Sequence, residues 1–293
     1  MLLTRYLDDV VVWAPAKVNL YLEVLGKRPD GYHAIETLMI TVGLFDTLVF
    51  RDEPTNQVEL TCTDPALSTG PDNLVVRAAH LLQQHTGCNR GCRIRLIKRI
   101  PMQAGLAGGS TDAAATLLGL NQLWKLGLQP DVLAKLGSEL GSDVPFFFHA
   151  PAAWCTGRGE IVSAVPVGGR LDLVLLCPAF GMPTAQVYRS VTVPGNPESG
   201  DAIRAALALG DADELGRRLF NRLQEPAVHL DSRIGEYYKR LAALAPAGQL
   251  MSGSGSSLFA LARSQEEAER MAAALGTGAA DDPFRVFTVR GCV

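Results

Sequence analysis

The sequence predicts an α+β protein built in two parts, and three observations carry that prediction. The first is a beginning rich in strand-forming Val, Leu and Tyr, in residues 10–25, 36–50 and 57–62. The second is a glycine-rich loop, residues 101–112, between a strand-like segment and an alanine-rich helical run. The third is a change of composition near residue 165, after which a new strand starts. We therefore predict one domain over residues 1–165 and a second over residues 166–293.

Composition narrows the class of protein. The 293 residues are 47% hydrophobic and 19% charged with a net charge of −3, which is typical of a globular protein and gives no global attraction to nucleic acid. Six scattered cysteines contain no Cys-x-x-Cys pair, so we expect reduced thiols. The first residues carry acids where a signal peptide needs an apolar core, and no apolar run approaches the roughly 20 residues of a membrane span. We expect a cytoplasmic protein without membrane, nucleic-acid or obligate protein partners.

The first predicted strand, Val10 to Leu25, contains a lysine among apolar residues. Burying Lys17 is costly unless it is paired. It either faces solvent on an edge strand, as the nearby Pro15 suggests, or it has a functional partner. After the strand, Pro-Asp-Gly forms a turn that is followed by Tyr32 and His33. These two residues either contact a ligand or are ordinary aromatic residues that pack at a hairpin turn.

A helix is predicted from Asp72-Asn73-Leu74 to about His85, with Asn73 as a possible cap. The next strand, Arg93 to Ile100, alternates basic and apolar residues, which is typical of a half-exposed strand. Its Lys98 lies close to the glycine-rich loop along the chain and could reach a ligand held there.

The loop from Pro101 to Asp112 has the layout of a phosphate cradle. Glycine lets the backbone approach an anion, and the N–H groups and dipole of the following helix favour negative charge. Ser110 is predicted as the N-cap of that helix and Asp112 as an acid in its first turn. The loop matches neither the P-loop nor the dinucleotide fingerprint, so the alternative is a turn that only caps a helix.

Beyond the loop the chain reads as helices, short strands and two further loops. Helices are predicted at 113–126 and 131–140, and Asp143 then begins a very apolar stretch as either a turn residue or a paired carboxylate. Two short strands at 152–165 precede a buried strand at 171–177 and a helix that carries Tyr188. Helices continue to Leu244, and the small-residue loop Met251 to Ala260 is followed by a helix at 265–275 and a strand at 284–289.

Three of these segments together resemble the superfamily of galacto-, homoserine, mevalonate and phosphomevalonate (GHMP) kinases. They are Ala-Pro-Ala-Lys-x-Asn-Leu at 14–20, Pro-x-x-x-Gly-Leu-Ala-Gly-Gly-Ser-x-Asp-Ala-Ala at 101–114, and Met-Ser-Gly-Ser-Gly-Ser-Ser at 251–257. Gly-x-Asp-Val-Pro-Phe at 141–146 resembles the segment that carries the superfamily's catalytic aspartate. The resemblance spans nearly the whole chain.

Two further segments resemble only one branch, the 4-diphosphocytidyl-2-C-methyl-D-erythritol kinases of non-mevalonate isoprenoid synthesis. They are Arg-x-Asp-Gly-Tyr-His at 28–33 and Pro-Thr-x-x-x-Tyr at 183–188. In that branch these residues help to hold the cytidine end of the substrate. Asn221 resembles part of a family segment, but we assign it no role.

The resemblance implies a two-domain GHMP-kinase fold. It joins an N-terminal ribosomal-protein-S5-like nucleotide-binding domain to a C-terminal ferredoxin-like α+β domain, with the active site in the cleft between them. It implies ATP and Mg²⁺, with Lys17 and Asp143 as catalytic residues that satisfy each other's charge, and Ser110 as the candidate metal ligand. The expected nucleotide contacts are Pro101, Met102, Gln103, Ala104, Gly105, Leu106, Ala107, Gly108, Gly109, Ser110, Thr111, Asn73, Leu74 and Lys98. The expected substrate contacts are Asn19, Tyr32, His33, Thr184, Tyr188, Gly253 and Ser254.

Two alternatives remain open at this point. One is another small-alcohol kinase of the superfamily, of the homoserine, mevalonate or galactose type, which would not need the Asp-Gly-Tyr-His turn or Tyr188. The other is a non-enzymatic nucleotide-binding module, which would tolerate loss of Lys17 or Asp143, although both are present.

Overall fold

A computed structural model describes residues 1–280 and 282–292. The chain forms two compact units that alternate along the sequence. Unit 1 comprises Met1–Ala16, Leu44–Ile100 and Ala107–Ala150, and unit 2 comprises Lys17–Gly43, Pro101–Leu106 and Pro151–Val293. Two long strands, β2 (Asp9–Lys27) and β3 (His33–Glu53), contribute residues to both units. The domain boundary between residues 165 and 166 stays a prediction.

The strands of unit 1 follow the alternation of apolar and polar residues. The N-terminal strand β1 (Leu2–Tyr6) pairs antiparallel with the start of β2, and Leu2 lies opposite Trp13. The end of β3 pairs antiparallel with β5 (Gly91–Ile97), which pairs in parallel with β4 (Val58–Cys62). In β5 the side chains of Cys92, Ile94 and Leu96 are buried and the arginines between them are exposed, as the alternating sequence predicts.

Four helices complete unit 1. They are α1 (Leu74–Thr86), α2 (Gly108–Leu123), α3 (Pro130–Leu140) and α4 (Phe146–His149). The alanine-rich α2 is buried on most of its surface and packs against α1 and α3. Gly119 lets α2 approach the strands closely, because a Cβ at this position would lie 2.4 Å from the ring of Phe50.

Unit 2 contains two groups of strands. In the first, β6 (Ala152–Thr156) pairs antiparallel with the start of β3 and with β7 (Ile161–Ala164), and β9 (Phe220–Asn221) runs parallel to β2 at Tyr21 and Leu22. The second is a four-stranded antiparallel sheet in the order β10-β11-β8-β12. Its strands are β8 (Asp172–Pro178), β10 (Gly248–Met251), β11 (Leu258–Ala262) and β12 (Phe284–Arg290).

Helices of unit 2 pack around a core that includes Val174, Tyr237 and Leu258. The helices that contribute residues to this core are α5 (Thr184–Arg189), α8 (Gln224–Leu230), α9 (Arg233–Ala242) and α10 (Gln265–Leu275). The others are α7 (Ala212–Arg218), which packs against β10 and β11, and α6 (Asp201–Leu209), which packs against α7. The mixture of strands and helices in both units confirms the α+β prediction.

Two local predictions about α2 are wrong. The helix begins at Gly108 rather than at Ala113, so Ser110 is its third residue and cannot be the N-cap. Asp112 is the fifth residue, beyond the first turn, and is buried. The six cysteines are free thiols, as predicted. Among the described residues, no helix is both long and apolar enough to cross a bilayer.

Candidate active site

The start of α2 in unit 1 offers backbone N–H groups to an anion. Ala107 precedes the helix with a left-handed backbone (φ 55°), and its side chain cannot cap the helix. The N–H of Thr111 donates to the Ala107 carbonyl, whereas the N–H groups of Gly108, Gly109 and Ser110 belong to the first turn and have no acceptor within the helix. This geometry is suited to binding phosphate oxygens.

A buried charge cluster lies beneath the start of α2. The ammonium of Lys98 donates to Asp46 at 2.5 Å and to Asp112 at 2.8 Å, and the Lys98 side chain is only 5% exposed. Burial alone would lower the pKa of Lys98, but Asp112 and Asp46 outweigh it and raise that pKa above its usual value. Burial raises the pKa of the Asp112 carboxyl to about 8, although Lys98 acts in the opposite direction.

The cluster fixes where the helix starts. A Cβ on Gly108 would lie 3.0 Å from the Ile100 side chain and 3.1 Å from the Lys98 ammonium, so only glycine fits closely here. Asp46 also accepts hydrogen bonds from the backbone N–H groups of Arg99 and Ile100. Lys98 is therefore bonded to the side chains of Asp46 and Asp112, and its predicted contact with the nucleotide stays a prediction.

Asn73 and Leu74 occupy the start of α1. The Asn73 side chain caps the helix by accepting from the Val75 N–H at 2.8 Å, and its amide donates to the Ser68 carbonyl. A Cβ on Gly109 would lie 3.3 Å from Leu74, so Leu74 packs beside the glycine-rich loop. The structure thus gives Asn73 a capping role and brings Leu74 to the loop.

Asp143 lies half-buried in the turn between α3 and α4 of unit 1. The same turn approaches the start of α2, because a Cβ on Gly141 would lie 3.8 Å from the Ser110 hydroxyl. Residues 1–280 and 282–292 contain no group of three His, Cys, Asp or Glu side chains placed to hold a metal ion. Magnesium is often held by one or two carboxylates together with substrate phosphates, and the expected role of Ser110 as a metal ligand stays a prediction.

Lys17 in unit 2 is buried rather than exposed. It is 3% exposed, and its ammonium donates to the Asn19 side-chain oxygen at 2.6 Å and to the Gly105 carbonyl at 3.0 Å. The alternative of a lysine on the solvent face of an edge strand is therefore wrong. Asn19 in turn donates to the Thr37 hydroxyl at 2.8 Å, so the lysine is part of a buried polar network.

The loop Ser252 to Ser257 belongs to the third of the three superfamily segments and is therefore named the third glycine loop. It joins this network. The Ser252 hydroxyl donates to the Gly105 carbonyl at 2.9 Å and accepts from the Asn19 N–H at 3.3 Å. The Ser257 N–H donates to the Ala104 carbonyl, which binds the same loop to the 101–106 segment a second time. A Cβ on Gly253 would lie 3.3 Å from both the Lys17 ammonium and the Asn19 side-chain oxygen. Three segments that are distant in sequence therefore meet within unit 2.

Four predicted substrate contacts also meet in unit 2 as two pairs. The His33 and Tyr188 rings lie 5.4 Å apart between centroids, and the Thr184 and Ser254 hydroxyls lie 2.8 Å apart. Burial, with a smaller contribution from Lys27, lowers the pKa of His33, which favours the neutral imidazole. A neutral imidazole has one donor and one acceptor, as recognition of a base edge requires.

Tyr32 differs from these residues because it is 52% exposed. The Arg158 guanidinium lies over its ring, 5.1 Å from the centroid, and the Asp30 carboxylate accepts from its backbone N–H. Arg158 was not predicted from the sequence. The only local signal was the sequence Gly157-Arg158-Gly159 within the region of the two predicted short strands.

Asn221 is a second residue whose position the sequence did not predict. The residue is 7% exposed, and its side-chain amide donates to the carbonyls of Met251 and Gly253, both at 2.8 Å. The next residue, Arg222, forms a two-pronged ion pair with the fully buried Glu23. The resemblance of Asn221 to part of a family segment was the available signal, but its partners lie 30 and 32 residues away.

Comparison with known proteins identifies the family. The model of the GHMP kinases N terminal domain matches residues 73–150, and that of the GHMP kinases C terminal domain matches residues 203–280. A 4-diphosphocytidyl-2-C-methyl-D-erythritol kinase of Pelotomaculum thermopropionicum is 42% identical over 90% of this chain and 93% of its own. The chain belongs to the GHMP kinase family. Within this family, the chain falls in the same branch as the Pelotomaculum thermopropionicum kinase.

Further relatives agree with this placement. The Symbiobacterium thermophilum protein of the same name is 44% identical over 87% of this chain and 92% of its own. A crystal structure of a 4-(cytidine 5'-diphospho)-2C-methyl-D-erythritol kinase has 37% identity and a TM-score of 0.81, covering 97% of this chain and 99% of that one. The predicted GHMP-kinase fold is therefore confirmed, and the chain is an ATP-dependent kinase of this family.

Proposed function

We propose that this kinase transfers the γ-phosphoryl group of ATP to the 2-hydroxyl of 4-diphosphocytidyl-2-C-methyl-D-erythritol. The products are the 2-phosphate and ADP, and the step belongs to the non-mevalonate pathway of isoprenoid precursor synthesis. The names of the relatives support this substrate. The observation that carries it is the contact between His33 and Tyr188, because these rings come from the two motifs that distinguish the branch.

In the proposed reaction, the glycine-rich loop from Pro101 to Thr111 holds the ATP phosphates. The N–H groups at the start of α2 neutralise negative charge on the phosphate oxygens, and Leu74 packs beside the loop. Phosphoryl transfer depends mainly on positioning and charge neutralisation, which a rigid backbone cradle supplies.

We assign the proton transfer to Asp143, whose carboxylate accepts the proton of the attacking 2-hydroxyl. Lys17 supplies a positive charge that stabilises the transferred phosphoryl group, and its bonds to Asn19 and Gly105 fix the direction of the ammonium. The mutual neutralisation of Lys17 and Asp143, and the location of the site in a cleft between two domains, stay predictions.

Magnesium is the expected metal ion of the reaction. When bound, it would offset the charge of the ATP phosphates. Ser110 is the residue that we propose as a ligand, because its hydroxyl lies in the first turn of α2 beside the N–H groups of the cradle. The cytoplasmic location and the lack of nucleic-acid, membrane or obligate protein partners also stay predictions.

The acceptor site would hold the cytidine end of the substrate with rings and hydroxyls. Tyr188 and Tyr32 stack on the base, and His33 with its neutral imidazole hydrogen-bonds to it. Stacking discriminates little between bases, so hydrogen bonds must select cytosine. Thr184, Ser254, Gly253 and Asn19 would contact the remainder of the acceptor.

The test is ATP consumption by the purified protein with magnesium and five separate acceptors. These are 4-diphosphocytidyl-2-C-methyl-D-erythritol, methylerythritol phosphate, homoserine, mevalonate and galactose. We expect turnover with the first only. Turnover of another alcohol would keep the ATP cradle but refute the acceptor assignment, and ATP binding without turnover of any acceptor would favour a non-catalytic nucleotide-binding module.

A matched pair of variants tests the acceptor residues separately. Tyr32→Ala should raise KM for the cytidylyl acceptor and leave KM for ATP unchanged, because the ring is assigned to the base and not to the nucleotide. Tyr6→Ala is the control, since Tyr6 is also an exposed tyrosine and lies in β1 of unit 1. Equal losses of affinity for both substrates in Tyr32→Ala would contradict the assignment.

A further inference from the structure

Asn221 has an arrangement of hydrogen bonds that uses every side of its amide group. The Nδ2 atom donates to the carbonyls of Met251 and Gly253, each at 2.8 Å, and the Oδ1 atom accepts from the Leu223 N–H at 2.9 Å. Both N–H donors and the oxygen are therefore satisfied in a site that is 7% exposed. A buried side chain with this pattern fixes its partners, because moving them would leave polar groups unpaired.

The carbonyls held by Asn221 flank the start of the third glycine loop. Between them lies Ser252, whose hydroxyl bonds to the Gly105 carbonyl and to the Asn19 N–H. Gly253 itself lies against Lys17 and Asn19, where even a Cβ would approach both to 3.3 Å. The position of the loop therefore limits the positions that the Lys17 ammonium and the Asn19 amide can take.

The backbone of Asn221 is fixed to the strand that carries those two residues. Strand β9 pairs with β2 so that Asn221 lies opposite Leu22, and the Arg222 N–H donates to the Leu22 carbonyl at 2.9 Å. Lys17 and Asn19 precede Leu22 on the same strand. One residue thus joins the third glycine loop to β2 by its side chain and by its backbone.

We infer that Asn221 is a positioning residue for phosphoryl transfer, whose amide holds the Met251 and Gly253 carbonyls so that the third glycine loop keeps Lys17 and Asn19 in place. The inference rests on the proposed function for the reaction that it supports. Asn221 does not touch the substrates in the proposed reaction and acts only through the third glycine loop.

Asn221→Asp and Asn221→Ala remove the same two donors in different ways. Aspartate has nearly the same shape and can still accept from the Leu223 N–H, but its ionised form turns an oxygen towards the two carbonyls. Its protonated form regains one O–H donor, whereas alanine regains none at any pH. The charged groups near the side chain of residue 221 are Lys17, which lies beyond Gly253, and the ion pair of Arg222 and Glu23. The neighbouring Gln224 is neutral.

The experiment compares these two variants with the wild-type kinase and with Asn121→Asp. Asn121 is a matched control because its amide also donates to a backbone carbonyl and accepts from a backbone N–H, both of Leu128. It lies near the end of α2, about 20 Å along the helix from the glycine-rich loop at its start. Each variant is assayed at saturating ATP and acceptor, at a temperature where its melting curve shows a fully folded protein.

We expect kcat to fall about tenfold to hundredfold in both Asn221 variants at pH 8, and to change less than about twofold in Asn121→Asp. The ratio of Asn221→Asp to wild-type kcat should rise as the pH falls from about 8.5 to about 6, because the buried carboxyl gains a proton. The same ratio for Asn221→Ala should stay constant. Loss of stability alone would not produce this pH dependence in a fully folded enzyme.

Hydrogen exchange gives a readout that does not depend on the acceptor. The N–H groups of Ser252, Gly255 and Ser257 are hydrogen-bonded within or next to the loop, so peptides covering 250–257 should exchange faster in both Asn221 variants than in the wild type and in Asn121→Asp. Unchanged exchange there, or wild-type kcat in folded Asn221→Ala, would overturn the inference. If the wild type leaves the cytidylyl acceptor unphosphorylated, the proposed function fails while exchange still tests the role of Asn221.

Discussion

Gly105 is the position where one added methyl group should do the most damage to the site. Its backbone is left-handed, with φ +72°, and a Cβ would lie 2.1 Å from the Ser252 carbonyl oxygen, 3.0 Å from the Ser252 carbonyl carbon and 3.1 Å from the Gly255 carbonyl oxygen. Its own carbonyl accepts hydrogen bonds from Lys17 and Ser252. Gly105→Ala therefore perturbs both the contact between the two glycine-rich segments and the hydrogen bond of Lys17 to the Gly105 carbonyl.

The magnitude has two contributions. Placing alanine in the left-handed region costs about 1–2 kcal/mol. The methyl group must also displace backbone rather than a flexible side chain, because all three nearest atoms belong to the main chain, and such overpacking costs about 1–3 kcal/mol. We expect the free energy of unfolding to fall by about 2–5 kcal/mol in total, and kcat to fall because the Gly105 carbonyl no longer meets the Lys17 ammonium.

Gly127→Ala separates the two contributions. Gly127 has nearly the same backbone conformation, with φ +71°, but a Cβ there would meet no atom within 4 Å. This control should lose only the conformational contribution and keep full activity. Urea unfolding measures the stability of both variants, and the assay of ATP consumption measures their activity under the same conditions. If Gly105→Ala is as stable and as active as Gly127→Ala, the close approach of Gly105 to the third glycine loop is refuted.

Three further variants test other parts of the site. Asp143→Asn should reduce kcat by about a hundredfold or more and leave both substrate affinities nearly unchanged, since only the proton acceptor is lost; near-normal turnover would remove Asp143 as the base. Gly108→Val should raise KM for ATP by about a hundredfold, because the side chain would collide with the Lys98 cluster and move the cradle; an unchanged KM would contradict the cradle. Glu23→Gln should lower the free energy of unfolding at pH 7 by about 2–3 kcal/mol. Burial opposes ionisation of Glu23, but the Arg222 guanidinium outweighs it and lowers the pKa. The stabilisation by the wild-type pair is therefore present above the unfolded pKa of about 4.3 and is lost as the pH falls through the folded pKa. The free energies of unfolding of the wild type and of Glu23→Gln should therefore converge in acid. A difference between them that stays constant with pH would refute the pairing.

Elements with strong periodicity or clear boundary residues were predicted from the sequence alone. Helix α10 has the predicted bounds, Gln265–Leu275, because Ser264 supplies a side-chain cap for its first turn. Helix α1 starts at the predicted Leu74, with Asn73 as the cap. The start of α2 was missed by five residues because Gly108 and Gly109 have low helix propensity, and packing on Ile100 and Lys98 overrides that preference.

The buried charge cluster shows why a site cannot be completed from local sequence. Asp112 looks like an ordinary acid of a first helical turn, and Lys98 looks like one of several basic residues on a half-exposed strand. Their pairing depends on Asp46, which lies 52 residues before Lys98 and had no local signal. Only the packing of α2 against the strands of unit 1 brings the three side chains together, and burial then makes the pairing necessary.

The network around Lys17 also depends on partners that are distant in the sequence. The burial of Lys17 requires polar partners, but the sequence around it does not say which ones. Asn19 is two residues away and could have been proposed from strand alternation, whereas Gly105 is 88 residues away and Ser252 is 233 residues from Asn19. Neither distant partner acts through a charged side chain: Gly105 contributes a carbonyl, and Ser252 a hydroxyl that bridges two backbone groups. Because backbone carbonyls carry no sequence signature, the glycines that let the segments approach are the clearest trace of this site in the sequence, whereas the resemblance at Asn221 does not indicate its bonds to the Met251 and Gly253 carbonyls.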